Sequence, residues 1–132
     1  MTGTEGDRFE PRPRRAPERR TANDAHNLRS ELNRILRRTE VVSAAGRAEF
    51  SESDSNYDVA SMAIIRLAAL VERPEFAASA AQLSADEAAA IRATRNIAAH
   101  AGYGGMNGDL FWAAVTVRVP AIIRRLLDNE LR

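Results

Sequence analysis

Apolar residues along this chain recur at helical rather than strand spacing. From Asn23 to Ala45, Leu28, Leu32, Ile35, Leu36 and Val42, with Thr39 among them, fall three and four apart and trace one face of a helix that Gly46 ends. A second helix is predicted from about Asp54 to Glu72, with Tyr57, Ala60, Ile64, Leu67 and Val71 on its stripe and Arg73-Pro74 stopping it. This helix is expected to be the most buried.

The third helix opens on Ser84-Ala85-Asp86-Glu87. This fits a capping box, in which the serine hydroxyl and the glutamate carboxylate satisfy each other's backbone amides. It is expected to run from Ala88 to Ala101 and to end at Gly102, Gly104 and Gly105, which can take positive φ. A fourth segment, about Gly108 to Leu131, places Trp112, Val115, Val119, Ile122 and Leu126 inward. Pro120 interrupts it by removing the amide that would bond to Thr116, so a kink or two abutting helices are expected. No segment alternates like a strand. The expected fold is all-α, an antiparallel bundle of four main helices spanning residues 21–132.

Residues 1–20 mix Arg, Pro, Glu and Gly with almost nothing to bury and read as a disordered tail. The outer face of the first helix carries Arg29, Arg34, Arg37 and Arg38 between Glu31 and Glu40. It reads either as a solvated face with ion pairs or as an RNA path. A chain of 132 residues suits one domain with a core of its own. Nineteen basic residues, all arginine, balance 18 acidic ones to a net charge of +1, so no overall field favours nucleic acid or membrane and any basic surface is local.

Cysteine is absent, which removes disulfides, thiolate ligands and a thiol nucleophile. His26 and His100 are the only histidines and no H-x-x-x-H spacing occurs, which argues against a metal site; no cofactor is expected. No run reaches the roughly 18 apolar residues of a membrane helix, and the polar start lacks the apolar core of a signal peptide. A cytoplasmic location follows as the expectation.

Chemistry concentrates in Arg95-Asn96-Ile97-Ala98-Ala99-His100. Histidine moves a proton near neutral pH, and arginine carries a permanent planar cation suited to phosphate oxygens. Arg95 and His100 lie about 140° apart on an ideal helix, so they do not share a face, whereas Asn96 and His100, four apart, do. Either the helix unwinds at the glycines or two copies meet across a two-fold axis and share a cleft, the arrangement favoured here. The alternative leaves Arg95 paired with a carboxylate and His100 capping a helix C-terminus. Arg92, one turn before Asn96, is a further candidate phosphate contact or else a surface ion pair. His26 reads as solvated and Trp112 as core. Use of Gly102 to Gly108 as a phosphate loop lacks the G-x-x-x-x-G-K-[ST] pattern.

The run Arg95 to Tyr103, followed by Asp109-Leu110-Phe111-Trp112-Ala113-Ala114-Val115-Thr116 and Val119-Pro120-Ala121-Ile122-Ile123, resembles the HEPN superfamily, specifically HepT-like toxins. The stretch Tyr57-Asp58-Val59-Ala60 to Ile65-Arg66-Leu67 resembles that family's second helix, and the likeness covers about residues 24–130. The resemblance implies an all-α homodimer acting as a metal-independent endoribonuclease, with Arg95 and His100 matching the R-x4-H motif and Asn96 beside them. It implies RNA as substrate, with no DNA expected. It also implies a nucleotidyltransferase antitoxin of the MNT type that transfers AMP to a tyrosine just beyond the histidine. Tyr103 is the candidate, separated from His100 by Ala101 and Gly102, where the family's common form has one residue. The competing expectation is a non-catalytic HEPN helical module that dimerises or binds such a nucleotidyltransferase.

Overall fold

In the computed structural model of the chain, residues 17–99 and 108–130 are described; the tail before residue 17, His100 and Tyr103, on which expectations were placed, lie outside them. Among the described residues every regular element is helical. The elements are α1 (Pro17–Ala45), α2 (Ser55–Val71), the short α3 (Ala77–Ala80), α4 (Ala85–Ala99), α5 (Gly108–Ala113) and α6 (Val119–Glu130). Single 3₁₀ turns lie at Arg47–Glu49 and Pro74–Phe76, and a π-helical turn, Ala114–Arg118, joins α5 to α6.

Helix α1 begins at Pro17 rather than at Asn23, so residues 17–20, read from composition as tail, are helical. Proline's fixed φ suits the first helical position, and its missing amide has no partner to lose there. The apolar stripe of α1 holds. Leu28, Leu32, Ile35, Thr39 and Val42 are buried, Leu36 is half-buried, and the Thr39 hydroxyl is satisfied by donating to the Leu36 carbonyl at 2.7 Å. Gly46 ends the helix region at φ +92°, a conformation that costs any residue with a Cβ.

Helix α2 packs against α1 on one side and α4 on another, while α1 also contacts α6 and the π-helical turn. Its position between neighbours explains why Tyr57, Ala60, Ala63, Ile64, Leu67, Ala68 and Leu70 are all buried along it, with Val71 half-buried. The alanines keep the helix thin where α1 and α4 both approach. After α2 the 3₁₀ turn buries Phe76 against the core, with the Arg73 guanidinium 4.9 Å from the ring centre.

Four aromatic rings meet near one end of the core. Phe50 lies 5.3, 5.4 and 5.2 Å from Tyr57, Phe111 and Trp112, and Tyr57 meets Phe111 edge-on at 5.0 Å. Tilted and edge-on pairs at these separations are the favourable arrangements for π systems. The cluster is braced from outside by Arg47. Its Nε and one terminal nitrogen donate to Asp109 Oδ1 at 3.0 and 2.9 Å, and the other donates to the Phe50 carbonyl at 3.0 Å. A Cβ at Gly108 would stand 3.0 Å from the Arg47 guanidinium, which would have to shift by a few tenths of an ångström to admit it.

Pro120 is accommodated without ending the helix. It is the second residue of α6, and the turn before it is π-helical. The wider turn reassigns the hydrogen bonds ahead of the proline, and Thr116 donates its hydroxyl to the Trp112 carbonyl at 2.8 Å. The expected interruption is therefore a change of helix type within one continuous segment.

Candidate functional site

The capping box at the start of α4 forms as read. The Ser84 amide donates to Glu87 Oε1 at 2.9 Å and the Glu87 amide donates to Ser84 Oγ at 3.0 Å. Glu87 also accepts from Arg125 of α6. Hydrogen bonding from Arg125 first, then from the Ser84 amide, lowers its carboxyl to about 2. One end of α4 is thus pinned to α6. Its middle is held by Ile91, Thr94 and Ala98 in the core, with the Thr94 hydroxyl donating to the Ala90 carbonyl at 2.7 Å.

The far end of α4 carries the candidate residues. Arg95 turns toward α2, where one terminal nitrogen donates to Glu72 Oε2 at 3.2 Å; the arginine side chain is 32% exposed and the glutamate 57%. Glu72 was not legible as a site residue, because the contact joins positions 23 apart in sequence and no local pattern encodes it. Asn96 is exposed. Arg92 is exposed one turn earlier and has no ion-pair partner among the described residues. It shares a cavity of about 120 Å³ with Glu72, floored by Ala68, Val71, Leu83 and Ile91.

On its other flank α4 leaves an apolar groove of about 650 Å³ against α5, the π-helical turn and α6. Ala90, Ala93 and Ile97 face Val117, Ala121 and Ile122 there. Val117 is 67% exposed, large for an aliphatic side chain on a helical face. On the helix wheel Asn96 lies between the groove side and the Arg95 side. Arg118 and Arg125 stand at the groove's rim.

Elsewhere the arginine face of α1 is mostly solvated. Arg34 pairs with Glu31 at 2.8 Å, and Glu40 pairs with Arg124 of α6 at 3.3 Å. His26 is exposed, and Trp112 is half-buried against the core as well as touching Phe50. Among the described residues no cluster of His, Cys, Asp and Glu is built to hold a metal ion, and no helix is long and apolar enough to cross a membrane.

No family model, curated protein or solved structure matches the chain.

Proposed function

We propose that the chain is a HEPN-type, HepT-like toxin: a metal-independent endoribonuclease whose helices form an antiparallel bundle of four main helices and whose active site is completed by a second copy. The observation that carries the reading is the setting of Arg95 and Asn96. A helix capped at one end and buried along its middle presents a solvent-accessible guanidinium and an exposed amide in its last turns, directly ahead of His100 in sequence. Rigid placement of polar groups on a helix is what electrostatic catalysis of phosphoryl chemistry requires.

In this mechanism the RNA 2′-oxygen attacks the adjacent phosphorus, and the bond to the 5′-oxygen breaks. A 2′,3′-cyclic phosphate and a 5′-hydroxyl result. The proton leaves the 2′-oxygen for a base and returns to the departing 5′-oxygen from an acid. His100 serves in one of these roles and its counterpart from the second copy in the other, worth about 10²–10⁴ in rate. Arg95 holds the charge that builds on the phosphorane oxygens, and Asn96 orients the imidazole or a phosphate oxygen. Arg92 contributes a further phosphate contact.

The apolar groove beside α4 is where the second copy sits in this reading, because none of the described residues covers it and it lies next to the Asn96 edge. A nucleotidyltransferase of the MNT type is the proposed antitoxin, with AMP transfer to Tyr103 as the means of neutralisation and the cytoplasm as the place.

His100→Ala and Arg95→Ala are each expected to abolish RNA cleavage and growth arrest while the helical circular dichroism stays unchanged. Full cleavage by the His100→Ala protein overturns the proposal. The second reading, a non-catalytic helical module, draws on the Glu72 partner of Arg95, which gives that arginine a structural occupation. An intact chain that binds a nucleotidyltransferase but cleaves no RNA and arrests no growth favours it.

A further inference from the structure

Glu72 stands where local physics disfavours it. It is the C-terminal cap residue of α2, with its amide donating to the Ala69 and Leu70 carbonyls, so its carboxylate sits at the negative end of the helix dipole. A lysine, arginine or neutral residue is the locally favourable choice there. Departures from local preference of this kind concentrate at functional positions. The compensation is Arg95, the cation assigned above to phosphate; one turn earlier Arg92, which has no ion-pair partner among the described residues, lines the small cavity that Glu72 also lines.

The pairing is also of a particular strength. Only one terminal nitrogen of Arg95 reaches Glu72, at 3.2 Å and with both side chains partly in water. A guanidinium has five N–H donors in a rigid fork, and a bidentate partner engages two of them. Among the described residues this single contact leaves the rest of the fork unused, and an exposed pair of this type is weak. Such a bond holds the arginine in place in the absence of a ligand and yields to an anion that can take both edges. A phosphodiester flanked by Arg92 and Arg95 is that anion.

We infer that Glu72 is an internal competitor for the phosphate site. Its carboxylate occupies Arg95 in the RNA-free protein and must be displaced, against repulsion between carboxylate and phosphate, when an RNA phosphate binds between Arg92 and Arg95. The inference rests on the ribonuclease reading. It adds a regulatory element to that site: affinity for RNA is held down by a residue outside the R-x4-H string.

The test is equilibrium binding of a fluorescent single-stranded oligoribonucleotide carrying 2′-O-methyl groups, which cannot be cleaved by 2′-oxygen attack, to the full chain. Glu72→Gln is expected to tighten binding by up to about fivefold. The gain should vanish when Arg95→Gln is also present, because the carboxylate then has nothing to withhold. Glu75→Gln, which removes an equal charge from the partner of Arg73 rather than of Arg95, should leave binding unchanged and so excludes a general charge effect. Binding by Glu72→Gln that is unchanged or weaker, or a gain that persists without Arg95, overturns the inference. If unmodified RNA is still cleaved in that case, the ribonuclease reading survives alone; if no variant binds or cleaves RNA, both fall.

Discussion

The Glu87 carboxylate accepts a hydrogen bond from each terminal nitrogen of Arg125, both at 2.7 Å, while the same carboxylate caps the backbone at Ser84. One side chain therefore closes the start of α4 and fastens it to α6. Glutamine at position 87 keeps the cap but loses the charge, whereas alanine loses both. Glu87→Gln is expected to cost about 0.5–1 kcal/mol and Glu87→Ala about 1–2 kcal/mol in denaturant unfolding.

The same pair sets a pH dependence. The folded-state carboxyl is lowered from its ordinary value to about 2 by Arg125 and then by the Ser84 amide. A depressed carboxyl stabilises the fold fully above the unfolded value and loses that contribution as pH falls through the folded one. The stability difference between the native chain and Glu87→Gln should hold from neutral pH down to about 4.5 and shrink between there and 2. A difference that stays constant to pH 2 would show that Arg125 contributes nothing through charge.

Phe50 contacts three other rings and is almost fully buried although it lies in a connection rather than a helix. Phe50→Ala is expected to cost about 3–5 kcal/mol through lost burial and the cavity left among the rings. Trp112, the single tryptophan, touches Phe50. Its fluorescence should change in the folded Phe50→Ala protein and not in a variant of equal stability loss made in α1.

Gly46 has open space where a side chain would go, so steric crowding is not what demands glycine there. Its φ of +92° is. Gly46→Ala should lower stability by about 1–2 kcal/mol and Gly46→Asn by less, since asparagine tolerates positive φ better. Equal stability of Gly46→Ala and the native chain, by thermal unfolding, would show that the turn relaxes.

Val117 projects from the π-helical turn beside the groove. A charge there opposes burial against a second copy but costs a single chain little. On the proposed dimeric ribonuclease, Val117→Asp is expected to shift the protein to monomer in light scattering, with its helicity kept, and to reduce RNA cleavage in parallel. A Val117→Asp protein that remains dimeric places the second copy elsewhere.

Much of the fold was legible because repeated apolar spacing dominates it. The stripes of α1 and α2 emerge nearly residue for residue, and Ser84 with Glu87 announces α4 without any tertiary information. Phe50 escaped because a lone aromatic in a polar connection has no period. In the last segment Phe111 is the buried residue and its neighbour Trp112 only half-buried, an order that an uninterrupted α-helical wheel does not resolve. At the site, the sequence picked out Arg95 and Asn96 but not Glu72, whose role depends on how α2 ends against α4.

The π-helical turn at Ala114–Arg118 has a consequence for the register of the whole last segment. Phe111, Val115 and Val119 are buried at two successive steps of four, each overshooting an α-helical turn by about 40°. A wider turn absorbs the surplus, much as an extra stitch lets a seam follow a curve. Removing the surplus residue from that turn would leave a helix of ordinary pitch with the aromatic end and the Ile122–Leu126 end still facing the core together. A shortening by one residue is therefore what this stretch of chain can best tolerate.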